Sequence, residues 1–190
     1  MTPCSKCATL RGMVRIAILI LLSTLTACTR PDLEARVRAL EVEADHETVA
    51  RLAHGYAHGI DEMNEVLLRR TFTENAVAEY KGANFPMDLR LEGIDAILEW
   101  LRSSVGDRDG AVPWHFMSTH LVDIDGDEAT LRTFQHNRHM SGVGLYTIQA
   151  RRTKDGWRIV KLHLDERILD PKLLERLHSE STGPDPVRRK

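Results

Sequence analysis

The chain has 190 residues, 42% of them hydrophobic and 28% charged, with a formal net charge of -2. That balance fits a folded domain and argues against nucleic-acid binding, which needs clustered positive charge. The three cysteines are Cys4, Cys7 and Cys28, so the chain beyond them has no thiol for nucleophilic chemistry, thiolate metal binding or a disulfide framework.

Lys6, Arg11 and Arg15 precede the apolar run Ile16 to Leu22 and the small residues up to Ala27, with no acidic residue in between. This pattern predicts a secretory signal over 1–27, since the run is too short to cross a bilayer. Leu25-Thr26-Ala27-Cys28 resembles a bacterial lipobox, in which Cys28 carries the lipid and becomes the mature N-terminus. The expected location is therefore the bacterial cell envelope, periplasmic side or outer membrane, with the membrane reached through a lipid anchor.

Residues 28–39 read as a spacer running into an amphipathic helix. Leu33, Val37, Leu40 and Ala44 form its seam, which suits a stalk, a homodimer contact or intramolecular packing. The stripe continues through Val49, Leu52, Tyr56 and Ile60, with Gly55 and Gly59 weakening the helix near its end. Asp61 stands where this helix stops and a second, carrying Val66 and Leu67, starts. A strand is expected at Ala76 to Tyr80, a loop at Lys81 to Asp88 and a helix at Gly93 to Val105. Four strands follow: Trp114 to Ile124, Glu128 to His139, Val143 to Thr153 and Trp157 to Leu164. Asp125-Gly126 and Asp155-Gly156 supply hairpin turns. Asp170-Pro171 opens a short helix, and the region 170–190 ends in a polar tail. Helices first and a meander last predict an α+β domain over 40–169.

Phe72-Thr73-Glu74-Asn75-Ala76-Val77, Leu91-Glu92-Gly93-Ile94-Asp95-Ala96-Ile97, His115, Asp125 to Ala129 and Asp155 to Ile159 occur in an order that resembles SnoaL-like proteins, with Asn75 where Asp is usual. The resemblance spans about residues 40 to 166. It implies the nuclear-transport-factor-like cone, a strongly curved antiparallel sheet wrapped around helices to form one deep pocket. It also implies chemistry without a metal or organic cofactor. In the dehydratase-like members an Asp ending the first helix orients a His on the sheet, and a Tyr or second His assists the departing group. The matching positions here are Asp61, His115, Tyr56 and His136.

The chemistry is sound in itself: imidazole exchanges protons near neutral pH, and a carboxylate on its other nitrogen fixes the tautomer. Each residue also has a plainer use. Asp61 would N-cap the second helix, Tyr56 would be a core phenol, and His115 a hydrogen-bonded core histidine. Tyr56 and Asp61, five residues apart, point to different sides unless the helix ends between them. Strand parity puts His115 with Met117, Thr119 and Leu121 and turns His120 away. His136, on the face of Arg132 and Phe134, is assigned to the pocket on the resemblance, while His139 and His163 fit a solvated or half-buried sheet face. His54, His58 and Asp61 share one helix side, which also suits a metal. The resulting expectation is a cofactor-independent lyase or isomerase moving a proton on a small hydrophobic or cyclic substrate. The alternatives are an anchored protein binding a hydrophobic ligand without turnover, and a structural partner subunit.

Overall fold

A computed structural model describes residues 5–105, 114–138 and 140–181, with side chains described for 32–104, 114–138 and 140–179. The elements in order are α1 (Ser5–Asp61), α2 (Glu65–Thr71), β1 (Phe72–Gly82), β2 (Asp88–Glu92) and α3 (Ile94–Val105). They continue with β3 (Phe116–Asp125), β4 (Glu128–His136), β5 (Gly142–Thr153), β6 (Gly156–Ile168) and α4 (Pro171–Ser181). The chain divides into two units, Met1–Asp45 and His46–Lys190. In the first, Leu33, Val37, Leu40 and Val42 are exposed. The side chains of the expected signal and of Cys28 lie outside the described residues, as does His139. Among the described residues no helix is long and apolar enough to cross a membrane.

The second unit is α+β, with a curved six-stranded sheet in the order β2-β1-β6-β5-β4-β3. All pairs are antiparallel except β1 with β6, which run parallel. Part of the expected loop after Tyr80 is strand: Asp88 to Glu92 pairs with Val77 to Lys81, and its half-buried and exposed residues alternate. Val49, Leu52, Ala53, Tyr56 and Ile60 recur at helical spacing on α1, and Ile94, Ile97, Leu98 and Leu101 on α3. Both stripes pack with Tyr80, Leu131, Tyr146, Ile148, Leu162 and Leu164 of the sheet in one core.

Gly55 and Gly59 do more than loosen a helix end. A Cβ on Gly59 would lie 2.6 Å from Leu68 Cδ2, and one on Gly55 2.8 Å from Thr71 Oγ1. Their bare faces let α2 lie against α1, and the helix runs unbroken to Asp61. Asn64 caps α2, its Oδ1 accepting from Leu67 N at 3.0 Å, so Asp61 is not the cap. Asp170 does cap α4, accepting from Lys172 N at 2.9 Å.

Candidate active site

α1 and the start of β3 meet through two histidines. His115 Nδ1 lies 2.7 Å from Asp61 Oδ1, and its backbone N–H donates to Asp61 Oδ2 at 2.8 Å. Both side chains are mostly buried. Using both oxygens of the last helical residue fixes the ring and the strand entry together. Burial alone would raise the Asp61 pKa, but the ring and backbone bonds from His115 and its charge outweigh that and hold it below the usual carboxylate value. An ionised Asp61 draws the proton onto Nδ1 and leaves Nε2 with a lone pair. Among the described residues Nε2 has no hydrogen-bond partner.

The second meeting is His120, whose Nε2 lies 2.9 Å from His54 Nε2. Parity failed here because of a bulge. Ser118 pairs with Phe134 and Leu121 with Arg132, so β3 carries one extra residue. Thr119, a β-branched residue at φ 54°, absorbs it. Met117, His120, Val122 and Ile124 are the half-buried set, while Thr119 and Leu121 are exposed. His120 therefore turns toward α1 rather than away from it. Its Nδ1 is buried without a partner among the described residues. Burial, then the neighbouring His54, lowers its pKa.

Two cavities share His115. One, of about 390 Å³, is lined by His54, His58, Asp61, Trp114, His115 and Met117, among others. The other, of about 200 Å³, is walled by Tyr56, Tyr80, Tyr146, Gln135 and Glu166, with Leu101 and Trp100. Tyr56 Oη lies 3.0 Å from Tyr80 Oη, and the Tyr56 ring meets that of Tyr146 edge-on at 5.4 Å. Burial first, then mutual charge effects, pushes all three phenols well above the ordinary tyrosine value. They stay protonated at physiological pH and can donate. Tyr56 and Asp61 do point to different sides of α1, one into each cavity, and His115 connects them.

His136 is not in this group. On β4 the buried residues are Ala129, Leu131, Thr133 and Gln135, which places His136 on the opposite face with Arg132 and Phe134. There its ring stacks on Phe116 with centroids 4.9 Å apart, and Nδ1 meets Asn137 O at 3.0 Å. Its assignment to the pocket is corrected: the cavity takes Gln135. His163 sits between Glu79 and Asp165, at 3.2 and 3.3 Å. The helix-side trio does not converge either, since His54 meets His120, His58 meets Glu62 at 3.1 Å, and Asp61 meets His115. Among the described residues no group of three or more His, Cys, Asp or Glu is arranged to hold a metal.

The SnoaL-like domain model matches residues 41–163. The chain belongs to the SnoaL-like family. Kfla4162 from Kribbella flavida is 23% identical, with a TM-score of 0.60 over 71% of this chain and 99% of its own. An NTF2-like protein with a cystatin-like fold from Novosphingobium aromaticivorans is 26% identical, with a TM-score of 0.52 over 75% and 94%. An NTF2-like superfamily protein from Salmonella enterica is 15% identical, with a TM-score of 0.55 over 65% and 92%. These neighbours share the NTF2-like cone fold with this SnoaL-like chain. No curated protein matches the sequence.

Proposed function

We propose that this SnoaL-like protein is a cofactor-independent lyase of the dehydratase type, with His115 as its base. Members of the SnoaL and NTF2-like families are often isomerases or related enzymes. One observation carries the narrower reading: Asp61 grips both His115 Nδ1 and its backbone N–H, leaving Nε2 without a partner among the described residues, and His115 lines both cavities.

In this reading His115 Nε2 takes a proton from the carbon next to a substrate carbonyl. Asp61 supports the imidazolium that forms, as an ionised carboxylate on the far nitrogen does. A protonated phenol, Tyr56 or a neighbour, donates to the carbonyl oxygen as it gains negative charge. The C–H electron pair becomes the new C=C bond, and the bond from the adjacent carbon to its hydroxyl oxygen breaks. The departing oxygen recovers the proton from His115 and leaves as water, which restores the neutral imidazole. Should Cys28 carry a lipid, this chemistry takes place at the cell envelope.

The test is a screen of small cyclic hydroxyketones for loss of water, followed by His115→Ala. The variant should keep its near-UV circular dichroism and lose roughly 10²–10⁴-fold in rate. A wild-type rate in the folded variant rejects His115 as the base.

A further inference from the structure

The cavity has a polar floor that the proton transfer does not use. Gln135 of β4, Gly144 of β5 and Glu166 of β6 lie side by side in one cross-strand row. Gly144 has no left-handed φ, so its place in the strand is a matter of space. A Cβ there would lie 2.6 Å from Leu164 Cδ1, 3.1 Å from Asp165 O and 3.3 Å from Gln135 Nε2. Two residues away, a Cβ on Gly142 would lie 2.8 Å from Glu166 Oε1. The two glycines thus clear the end of β5 so that the Gln135 amide and the Glu166 carboxylate can lie over it.

Gln135 is 5% exposed and lines the cavity, yet its Oε1 is buried with no hydrogen-bond partner among the described residues. A buried acceptor without a donor is unfavourable, and a sheet core gains nothing from an amide where leucine would fit. The row becomes intelligible when a ligand brings the missing donor. The nearby phenols are donors for a carbonyl, so the cavity offers a donor at one place and an acceptor at another.

We infer that Gln135 is a specificity-determining residue, whose Oε1 accepts a hydrogen bond from a hydroxyl of a small cyclic hydroxyketone. The inference rests on the lyase reading for its substrate class and names the group of the substrate that is recognised. Gln135 does not transfer a proton; it orients the hydroxyl that leaves. A site built to receive such a donor discriminates against the analogue lacking it, because the acceptor is then left unpaired.

The test is a binding measurement on the full chain with 3-hydroxycyclohexanone and cyclohexanone, following the Gly144 and Tyr146 amide signals by NMR. Wild type should bind the hydroxyketone about tenfold more tightly, the worth of one hydrogen bond to a buried group. Gln135→Met, of similar volume but without the acceptor, should abolish that preference and leave cyclohexanone affinity unchanged. Equal affinities in wild type overturn the inference whether or not the variant folds. So does a preference that survives in Gln135→Met. Affinity is read from the shift changes and water loss separately from the absorbance of the enone formed, which keeps the two readings apart. A Gln135-dependent preference with no water released rejects the lyase and keeps the recognition. Release of water with no preference does the reverse.

Discussion

Two histidines five residues apart, one just before β3 and one within it, join the same helix, and their partners make them different chemical objects. His115 meets a carboxylate, and His120 meets another histidine. A carboxylate holds the first imidazole in one tautomer and stabilises its protonated form, so that ring can take a proton and return it. A second imidazole brings no negative charge to offset that proton. With Nε2 facing Nε2 at 2.9 Å, only one of the two rings can carry the proton between them, and protonating both sets N–H against N–H. The His54–His120 contact is therefore lost only when both rings are protonated, whereas the pair Asp61 and His115 keeps its bond with the carboxylate charged. Burial of a histidine does not make it a base; the group on its far nitrogen decides.

The largest expected effect comes from giving His115 a partner without charge. Asp61→Asn keeps the shape of the helix end but offers an amide N–H to Nδ1. It thereby favours the tautomer with the proton on Nε2, where the lone pair is needed. Turnover of a hydroxyketone should fall by on the order of 10²-fold or more, and imidazole ¹⁵N shifts should show the proton moved to Nε2. A variant with normal turnover, or with Nδ1 still protonated, would remove the contrast between the two histidines.

Much of this contrast was hidden in the sequence, for identifiable reasons. The element order and the hairpin turns were legible, because periodicity and Asp-Gly turns are local signals, while Asp61 and His115 were joined only by the resemblance to SnoaL-like proteins. The bulge at Thr119 was not: one extra residue inverts strand parity, and nothing in Ser118-Thr119-His120 marks it. β2 was missed because it is a five-residue strand at the sheet edge, beside Pro86. The face of β4 was misread because the apolar Phe134 lies outside and the polar Thr133 and Gln135 inside. A pair of glycines two apart, Gly142 and Gly144, was the available hint that β5 makes room for neighbours. The tyrosine wall draws on α1, β1 and β5, and only tertiary pairing brings those together.

The two pairs should also separate along the pH axis. The carboxyl of Asp61 is held below its ordinary value of 3.8, so its contribution to stability is complete above that value. It is lost as pH falls through the depressed folded-state pKa. Asp61→Asn should flatten the stability profile, followed by urea midpoints, in that acid range alone. No change there would mean that the contacts with His115 add nothing to the folded state.

His120 acts at higher pH and with a smaller amplitude. Burial, then His54, lowers its pKa, so below the ordinary histidine value of 6.5 the unfolded chain takes up a proton that the folded chain resists. Stability from this group is complete above that value and declines as pH falls through the folded pKa. Glu47, on the same helix as His54, works against the shift and limits the decline. His120→Leu removes the titrating ring together with its unpartnered Nδ1 and leaves His54 exposed to water. At neutral pH the change should lie within about 1 kcal/mol of wild type, since a lost hydrogen bond is offset by the removal of an unsatisfied buried atom. Below pH 6.5 the variant should overtake wild type, with midpoints that no longer fall on mild acidification. Profiles that stay parallel would show that His120 is not held neutral. The distinction between the two histidines would then lie in geometry alone.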